Sequence, residues 1–221
     1  MTAKYIFWDC DSTLLDNAEL HWQKHLAITS KYGLDLAPDY RERFYHNNGA
    51  QNWKLLNEEL GFEIPTTQYL KEIDDWYHSK ILEIPLRPGV AYALDFLKRS
   101  GARQCVVTNA RTSSVRPMIE NKGLLPYFEF VWCKEDYKER KPHPTPYLTA
   151  HARMENATEH KIDKSDCIAI EDDAYGVTAA SAAGIPVIHR RLRDDVPPAP
   201  EALTSVYTEA DFLKALLGEV V

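Results

Sequence analysis

Short apolar runs alternate with amphipathic stretches over much of this 221-residue chain. The runs are rich in Val and Ile, and we predict them as strands over residues 5–8, 104–107, 128–133, 167–170 and 185–188. The amphipathic stretches between them predict helices that begin near Gly89, Thr112, Pro146 and Ala174. Because runs that are apolar throughout are typical of parallel strands covered on both faces, we predict an α/β fold with a doubly wound parallel sheet of the Rossmann-like kind.

Residues 17–85 depart from this alternation, since helical patterns follow one another there without a strand-like run. We predict four helices in this segment, over residues 17–32, 38–46, 51–60 and 66–81. Gly33 and Gly61, which follow the first and third of these helices, are typical of helix C-termini. Helices inserted directly after the first strand predict an α-helical cap domain on residues 17–85 and an α/β core domain on residues 1–16 and 86–221.

The charge and the cysteines narrow the possible partners and the compartment. Nucleic-acid binding begins with the neutralisation of phosphates, so a net charge of −7 leads us to expect no nucleic-acid partner. Because no apolar run is long enough to cross a bilayer and no signal peptide precedes the first strand, we expect no membrane partner. The four cysteines, at positions 10, 105, 133 and 167, lie far apart and fit no zinc spacing. Cys105, Cys133 and Cys167 lie in strand-like runs and are interpreted as reduced buried thiols, so we expect a cytoplasmic protein. We expect it to be a monomer or a weak homodimer.

Polar side chains follow three of the predicted strands at their carboxyl ends, where parallel sheets gather functional groups. They are Asp9 and Asp11 after the first strand, Thr108 and Asn109 after the second, and Glu171 and Asp172 after the fourth. Two carboxylates one residue apart are costly to hold together unless a cation lies between them. The pattern Asp-x-Asp-x-Thr therefore favours a magnesium-dependent phosphoryl transferase over a solvated turn rich in Asp and Ser, which is the simpler interpretation.

Four motifs occur in order between Lys4 and His189. They are Asp-Cys-Asp-Ser-Thr at 9–13, Val-Val-Thr-Asn at 106–109, Lys-Pro-His-Pro at 141–144 and Ile-Glu-Asp-Asp-Ala-Tyr-Gly at 170–176. The ordered set resembles the haloacid dehalogenase superfamily, in the helical-cap branch of the phosphoglycolate phosphatase and beta-phosphoglucomutase type. Asp11 sets the chain apart from the dehalogenases themselves, which by resemblance lack a second acid at this position.

The resemblance implies a reaction at phosphorus and a role for each motif residue. Asp9 is the implied nucleophile, which would form an aspartyl-phosphate intermediate. Asp11 is the implied acid and base, with pure metal ligation as the alternative. Lys141 is the implied cation that contacts both nucleophile and phosphate. The implied phosphate-binding groups are the Thr108 hydroxyl and the backbone N–H of Asn109 at the start of the next helix. The alternative for Thr108 is a helix cap without a ligand.

Magnesium is the cofactor that the resemblance implies, since an oxygen-only donor set suits Mg²⁺. The implied ligands are the carboxylates of Asp9 and Asp172 and the backbone carbonyl of Asp11, with Glu171 acting directly or through a water. The implied partner is a small phosphorylated metabolite.

Three residues depart from the family pattern. Trp8 is a large and uncommon residue before the nucleophile, Ser12 stands where Gly is usual, and Asp173 stands where Ser is usual. A positive φ at Ser12 would cost about 1–2 kcal/mol, and Asp173 would add negative charge near the metal. None of the three removes a catalytic group, but together they make it unsafe to carry over a substrate from any one relative.

We expect the cap to select the substrate, because a cap that closes over the phosphate also excludes water. The candidates are the segment 46–52, interpreted as a polar turn with a flexible Gly49, together with Arg43, Lys54 and His21. A solvated surface position is the alternative for each. The histidines that lie outside any motif are expected at the surface: His25, His78, His151 and His160.

We therefore predict a magnesium-dependent phosphatase of a small phosphorylated metabolite. One alternative is a phosphomutase of the beta-phosphoglucomutase type, which would share every core residue, although the amides of segment 46–52 favour water over a sugar hydroxyl as the acceptor. A phosphonate-cleaving hydrolase would need a Schiff-base lysine, for which Lys54 is the candidate. The last alternative is a non-catalytic phosphate-ligand sensor, which is disfavoured because a sensor would be expected to lose one residue of the complete set: Asp9, Asp11, Lys141 and Asp172.

Overall fold

A computed structural model describes residues 3–217 of the chain, apart from the side chains of His46 and Leu217. The candidate role of the His46 side chain therefore lies outside the described residues. The chain divides into two compact units, one formed by residues 1–16 together with 85–221 and the other by Asn17–Ile84. Pro85 belongs to the first unit rather than to the predicted helical segment, because its carbonyl accepts a hydrogen bond from the Asp16 N–H at 3.0 Å.

Within the described residues, the first unit is built on one six-stranded parallel sheet in the order β3-β2-β1-β4-β5-β6, which confirms the predicted doubly wound fold. The strands are β1 (Tyr5–Trp8), β2 (Arg103–Val107), β3 (Val131–Trp132), β4 (Cys167–Glu171), β5 (Val187–Arg190) and β6 (Thr204–Val206). In β1, Tyr5 lies opposite Arg103 on one side and Cys167 on the other. The strand order reverses at β1, which brings the carboxyl ends of β1, β2 and β4 together.

In the first unit, helices alternate with these strands. The second unit is built of helices. In the part of the chain that the structure describes they are α1 (Ala18–Lys31), α2 (Tyr40–His46), α3 (Gly49–Leu60), α4 (Thr66–His78), α5 (Val90–Arg99), α6 (Thr112–Asn121), α7 (Thr145–Thr158), α8 (Ala174–Ala182) and α9 (Glu209–Leu217). None of these described helices combines the length and the apolar character that a membrane span requires.

All four residues of β1 are buried, because helices pack on both faces of the sheet. On one face Phe7 packs against Tyr147 of α7, with the ring centroids 6.4 Å apart. On the other face Trp8 packs against Phe212 of α9, at 6.1 Å, and its indole N–H donates to Gln104 Oε1 at 2.9 Å. The large ring at position 8 is therefore accommodated by α9, which the sequence pattern does not predict.

The predicted and observed elements differ most at the two edges of the sheet. The predicted strand over 128–133 shortens to Val131–Trp132, and β6 and α9, which follow the proline-rich segment 194–200, were not predicted. An edge strand is paired on one side only, and the two edge strands, β3 and β6, are short and partly exposed. Such strands carry too few apolar positions to stand out from their surroundings.

The helical unit has an apolar core of its own, with buried side chains from each of its helices: Trp22, Phe44, Leu56 and Tyr69. His25 lies in this core at 4% exposure, and His151 of the α/β unit is 9% exposed, so the expectation that both are surface groups is wrong. Hydrogen bonds make the burial possible. His25 pairs with the Tyr69 hydroxyl at 2.5 Å, and His151 pairs with the Ile162 carbonyl at 3.1 Å.

The segment 46–52 is not the predicted turn. α3 begins at Gly49, because Asn48 caps the helix: its side chain accepts from the Gln51 N–H at 3.0 Å, and the Gln51 side chain accepts from the Asn48 N–H at 2.8 Å. Gly49 therefore starts a helix, and Asn52 is buried. An Asn-Asn-Gly sequence suits both a turn and a helix cap, and the reciprocal bond with Gln51 decides for the cap.

Three other candidates for substrate selection have partners within the helical unit. Arg43 forms an ion pair with Glu59, Lys54 lies 3.7 Å from Glu58, and the His21 ring stacks on Tyr77 with centroids 4.7 Å apart. That this unit selects the substrate stays a prediction.

Candidate active site

The carboxyl ends of the central strands bring most of the predicted site residues together. Asp9 follows β1, Thr108 follows β2, and Glu171 ends β4 and is followed by Asp172. Lys141, from the segment between β3 and α7, reaches the same place. All of these residues are buried. The fold thus brings side chains from separate strand ends together in one cluster.

Lys141 lies at the centre of this cluster. Its ammonium nitrogen is 2.7 Å from Asp9 Oδ1 and 2.6 Å from Glu171 Oε1, and it donates to the Val107 carbonyl at 2.7 Å. It also lies 5.2 Å from the ring centre of Tyr147. Three acceptors match the three N–H donors of an ammonium group, which allows a buried lysine to keep its charge.

Asn109 positions Lys141 through the backbone. Its side-chain amide donates to the Lys141 carbonyl and accepts from the Lys141 N–H, both at 3.1 Å. The Tyr137 hydroxyl donates to the Thr108 carbonyl beside it. The Asn109 side chain therefore holds the Lys141 segment against the end of β2, and the predicted phosphate contact of Asn109 concerns its backbone N–H.

Thr108 does not cap a helix, which was the alternative to a phosphate contact, and the Asn109 N–H does not lie at the start of a helix as the resemblance implied. α6 starts at Thr112 with Arg111 as its N-terminal cap, and the Thr108 hydroxyl accepts from the Ala110 N–H at 3.1 Å. A hydroxyl that accepts one hydrogen bond can still donate its own proton. The hydroxyl proton of Thr108 is therefore available for the phosphate contact, which stays a prediction.

Glu171 is enclosed by residues from two helices. The Tyr147 hydroxyl of α7 donates to its carboxylate, which also contacts Lys141. On its other side lies Gly176 in the first turn of α8, where a Cβ would overlap with the carboxylate. Asp173 caps α8 by accepting from the Gly176 N–H at 2.7 Å. Glycine is thus required at position 176 by the close approach of Glu171.

Asp172 is held by contacts to its side chain and its backbone. The Thr13 hydroxyl donates to Asp172 Oδ1 at 3.2 Å, which ties the turn after β1 to the end of β4. The Nε2 atom of His189 lies 3.1 Å from the Asp172 carbonyl oxygen. Because the Ala199 N–H donates to Nδ1 of His189 at 3.1 Å, we assign the ring proton to Nε2. His189 therefore donates to the Asp172 carbonyl.

Three carboxylates converge in the cluster, since Asp9, Glu171 and Asp172 each offer an oxygen within 4.8 Å of the others. Burial raises the pKa of Asp9 to about 6 despite the adjacent Lys141, and burial raises the pKa of Glu171 well above its ordinary value. Burial opposes the charge of Lys141, but Asp9 and Glu171 together hold its pKa well above the usual range. One lysine among three buried carboxylates leaves excess negative charge, a setting that favours a bound cation.

Asp11 and Ser12 form the turn beyond Asp9. Asp11 is half-buried, and its carboxylate is not a member of the three-carboxylate group found among the described residues. Ser12 has a φ of 58°, in the left-handed region. The cost of about 1–2 kcal/mol expected for a residue other than glycine in this conformation therefore applies here.

Three residues that support the site were not predicted as site residues: Tyr147, Thr13 and His189. Tyr147 lies six residues after Lys141 at the start of α7, and only the packing of that helix against the sheet brings its hydroxyl to Glu171. A local signal for Glu171 does exist, because an acid at the end of a fully apolar strand must find partners when it is buried. No comparable signal marks Thr13 or His189 as neighbours of Asp172.

Comparison with known proteins identifies the family. The family model described as "haloacid dehalogenase-like hydrolase" matches residues 6–189. The chain belongs to this family. The membership confirms the predicted resemblance, and with it the prediction that the chain is an enzyme.

Relatives of this haloacid dehalogenase-like hydrolase share most of its length. The phosphoglycolate phosphatase of Shigella boydii is 32% identical over 208 residues, covering 83% of this chain and 79% of that protein. A haloacid dehalogenase-like hydrolase domain-containing protein of Arabidopsis thaliana is 25% identical over 213 residues, covering 81% of this chain but 66% of that protein's length. A solved Thermotoga maritima structure, provisionally described as a beta-phosphoglucomutase, has a TM-score of 0.83 at 22% identity and covers 99% of this chain and 100% of its own. At this identity the last similarity concerns the fold.

Proposed function

We propose that this hydrolase is a phosphatase that releases phosphate from a small phosphorylated metabolite through an aspartyl-phosphate intermediate on Asp9, with magnesium as its cofactor. The observation that carries the proposal is the buried contact of Lys141 with Asp9 and Glu171 beside Asp172. A phosphate dianion needs positive charge around it, and this cluster combines a fixed cation with carboxylates able to hold a second one. The relative named phosphoglycolate phosphatase supports the same reaction class.

The residues of the chain would divide the reaction as follows. The carboxylate of Asp9 attacks phosphorus while the ester oxygen leaves, and Lys141, 2.7 Å from Asp9 Oδ1, orients the nucleophile and offsets the charge of the phosphoryl oxygens. Asp11 donates a proton to the leaving oxygen and then removes one from the water that hydrolyses the acyl phosphate. The Thr108 hydroxyl and the Asn109 backbone N–H bind phosphoryl oxygens. The products are an alcohol and inorganic phosphate, with Asp9 restored as a carboxylate.

The donor set fits a magnesium ion. The converging atoms of Asp9, Glu171 and Asp172 are all carboxylate oxygens, and hard cations of this type prefer oxygen ligands. Asp9 and Asp172 would hold the ion together with the backbone carbonyl of Asp11. Glu171 is engaged by Lys141 at 2.6 Å and would act through a water. When bound, the ion would supply positive charge that stabilises the developing charge on the phosphoryl oxygens.

Asp9→Asn tests the nucleophile. An amide cannot attack phosphorus, so we expect nearly all release of 4-nitrophenol from 4-nitrophenyl phosphate to be lost while the circular dichroism spectrum is unchanged. Asp163→Asn is the matched control, because Asp163 is an exposed acid of the same unit that caps a single helical turn. Turnover by Asp9→Asn within about tenfold of the parent would contradict the aspartyl-phosphate mechanism.

Removal of the metal tests the cofactor. Activity should vanish in a chelator and return with Mg²⁺, and Ca²⁺ should inhibit, since calcium prefers a larger and looser oxygen shell that would misplace Asp9. Mg²⁺ should also raise the melting temperature of the parent but not that of Asp172→Asn, because a ligand stabilises only the fold that binds it. Full activity in the chelator would contradict the assignment of Asp9 and Asp172 as ligands.

The product separates the alternative functions. A phosphomutase would pass the phosphoryl group to a sugar hydroxyl, so that a hexose 1-phosphate would yield the 6-phosphate, whereas the phosphatase yields inorganic phosphate and free sugar. The segment 46–52 favours neither acceptor, because residues from Gly49 onward belong to α3. A sensor would bind the ester without turnover. For a phosphonate-cleaving hydrolase, Lys54 is exposed and lies 3.7 Å from Glu58, whereas a Schiff-base lysine requires a desolvated site.

The compartment and the oligomeric state belong to the same proposal. The four cysteines are buried free thiols, a state typical of the reducing cytoplasm. We expect a monomer or a weak homodimer that does not bind nucleic acid, and light scattering coupled to gel filtration measures the oligomeric state directly.

A further inference from the structure

Two buried arginines hold the turn of residues 11–15, which we call the acid turn because it begins at Asp11. Arg87 is 7% exposed and Arg190, the last residue of β5, is 2% exposed. Arginine is almost never buried to this degree unless its guanidinium is paired. Both residues belong to the α/β unit, and neither has a part in the phosphatase reaction proposed above.

Arg87 binds carbonyl groups of two separate segments. Its Nη1 donates to the Ser12 carbonyl at 2.7 Å and to the Arg190 carbonyl at 2.8 Å, and its Nη2 donates to the Arg191 carbonyl. The backbone N–H of Arg87 donates to the Leu14 carbonyl at 2.9 Å, so this residue is anchored on the acid turn as well. The planar guanidinium therefore joins the acid turn to the carboxyl end of β5.

Arg190 contacts the next carbonyl group of the acid turn. Its Nη1 lies 3.4 Å from the Thr13 carbonyl, its Nη2 donates to the Pro88 carbonyl, and its guanidinium carbon lies 4.1 Å from the ring centre of Phe212. Burial, with Arg87 nearby, lowers the pKa of Arg190 to about 9. Two buried cations near one another are unfavourable by themselves, so the carbonyl contacts must offset that cost.

The acid turn needs such support because its backbone is strained. Ser12, with a φ of 58°, is the strained residue, and its carbonyl accepts the 2.7 Å hydrogen bond from Arg87. The next residue, Thr13, donates to Asp172 Oδ1 at 3.2 Å. A shift of the turn would therefore move the Asp11 carboxylate and weaken the support of Asp172 together.

We propose that Arg87 is a positioning residue, which holds the Ser12 carbonyl and thereby keeps the Asp11 carboxylate where it can protonate the leaving oxygen. The inference rests on the proposed function, in which Asp11 is the general acid. A general acid acts only within hydrogen-bond reach of the atom that it protonates. A displaced acid turn therefore weakens the protonation of poor leaving groups, whereas leaving groups that depart readily as anions need little help.

The test compares two esters of nearly the same shape. 4-Nitrophenyl phosphate releases a stable phenolate, and phenyl phosphate releases a more basic one that depends more on protonation. The ratio of their kcat/KM values reports the step in which the ester oxygen leaves, because later hydrolysis of the aspartyl phosphate does not enter kcat/KM once transfer is irreversible. For Arg87→Lys we expect kcat/KM to fall at least about tenfold more for phenyl phosphate than for 4-nitrophenyl phosphate.

Controls separate positioning from general destabilisation. Arg103→Lys makes the same substitution at an arginine of the same unit that pairs with Glu129 at the surface, and both esters should be hydrolysed as by the parent. Asp11→Asn should shift the ester ratio in the same direction, and adding Arg87→Lys to it should shift the ratio no further, because both changes act on one proton transfer. In Arg87→Ala, millimolar guanidinium chloride should restore phenyl phosphate hydrolysis, whereas ammonium chloride should not.

The possible outcomes distinguish the two proposals. An unchanged ester ratio in a folded, less active Arg87→Lys, or additive shifts in the double variant, would overturn the positioning role and leave the phosphatase proposal intact. If the parent hydrolyses neither ester, or if Asp9→Asn remains active, the proposed function itself is wrong. Should Arg87→Ala not fold, the ratio measured with Arg87→Lys decides.

Discussion

Lys141 in the α/β unit and His25 in the helical unit are both buried polar side chains, but they differ in charge. In the α/β unit the buried group is charged, with Lys141 within 2.7 Å of both Asp9 and Glu171. In the helical unit the buried group is neutral, because burial lowers the pKa of His25 well below its ordinary value and the Tyr69 hydroxyl lies 2.5 Å away. The buried charge of Lys141 lies where the proposed reaction takes place, whereas His25 completes the packing of a core. Arg87 and Arg190 are further buried charges of the α/β unit, and they hold backbone carbonyl groups.

Hydrogen bonding is complete at the Lys141 ammonium group, although each unit holds buried polar atoms without a hydrogen-bond partner among the described residues: Asn52 Oδ1 in the helical unit, and Arg190 Nε and Arg191 Nε in the α/β unit. Each N–H donor of the Lys141 ammonium has an acceptor in Asp9, Glu171 or Val107. In the helical unit Asn52 donates to the Phe44 carbonyl at 3.3 Å, but its Oδ1 atom has no hydrogen-bond partner among the described residues. An unmatched neutral acceptor costs about 1–3 kcal/mol, whereas an unmatched buried charge would cost more. A missing hydrogen bond would therefore be more costly at Lys141 than it is at Asn52 in the helical unit.

The largest effect on this contrast is expected from Lys141→Met, which leaves Asp9 and Glu171 buried without their cation. Turnover should be lost, and the free energy of unfolding in chelator at pH 8 should fall by about 3–5 kcal/mol. Burial holds the pKa of both acids above their unfolded-state values, so the folded variant prefers them protonated. The stability deficit should therefore shrink as the pH falls from 8 towards 5. Urea unfolding at several pH values measures it.

A double variant provides the control for this experiment. Asp9→Asn combined with Lys141→Met removes the cation and one of the two acids that it neutralises. This variant should be more stable than Lys141→Met alone, because fewer buried charges remain without a partner. Equal stability of the two variants, or a deficit independent of pH, would show that Lys141 does not neutralise these carboxylates.

A smaller effect is expected from adding one methyl group at a glycine in each unit. In Gly176→Ala the new Cβ would overlap with the Glu171 carboxylate, which is fixed by its own partners, so we expect a loss of about 1–3 kcal/mol and a clear fall in turnover. In Gly49→Ala the Cβ would meet the Leu70 Cδ2 atom at 2.8 Å, the movable end of a side chain. There the helix propensity of alanine, about 0.5–1 kcal/mol, should nearly offset the crowding.

Thermal melting and 4-nitrophenyl phosphate turnover of the two alanine variants check this prediction. If Gly176→Ala were as stable and as active as Gly49→Ala, the close approach of Glu171 to α8 would not be required for either property.

The smallest effect is expected from His25→Gln, which replaces the buried neutral imidazole. Because the pKa of His25 is lowered in the folded state, the unfolded chain binds a proton first as the pH falls below about 6.5. The parent should therefore lose stability relative to the variant by up to about 1.4 kcal/mol per pH unit in that range. Urea unfolding between pH 8 and pH 5 measures the difference.

His78→Gln is the matched control, since His78 lies exposed at the end of α4 in the same unit. Its stability should follow that of the parent over the same pH range. A constant difference between the parent and His25→Gln at every pH would show that His25 is protonated as readily in the folded chain as in the unfolded one.

Much of the α/β unit could be predicted from local patterns. Each central strand is a short apolar run, which burial on both faces of a parallel sheet demands, and the strand order places their carboxyl ends together. Asp9 and Asp172 were predicted as acids at the carboxyl ends of strands, whereas Lys141 was predicted from the family resemblance alone. The prediction was poorer where burial of a residue depends on a single hydrogen bond, as for His25 and His151.

The sequence by itself determined the class of fold, the family and the strand ends at which the acids gather, because these depend on periodicity and on short motifs. Only the tertiary structure decided which groups meet: Tyr147 and Gly176 against Glu171, and the Arg87 guanidinium on the Ser12 carbonyl. These contacts join residues far apart in the chain, and a one-dimensional pattern carries no information about which helix face or side chain reaches a given strand end. The support of the acidic cluster is therefore a property of packing, whereas its acids are a property of the sequence.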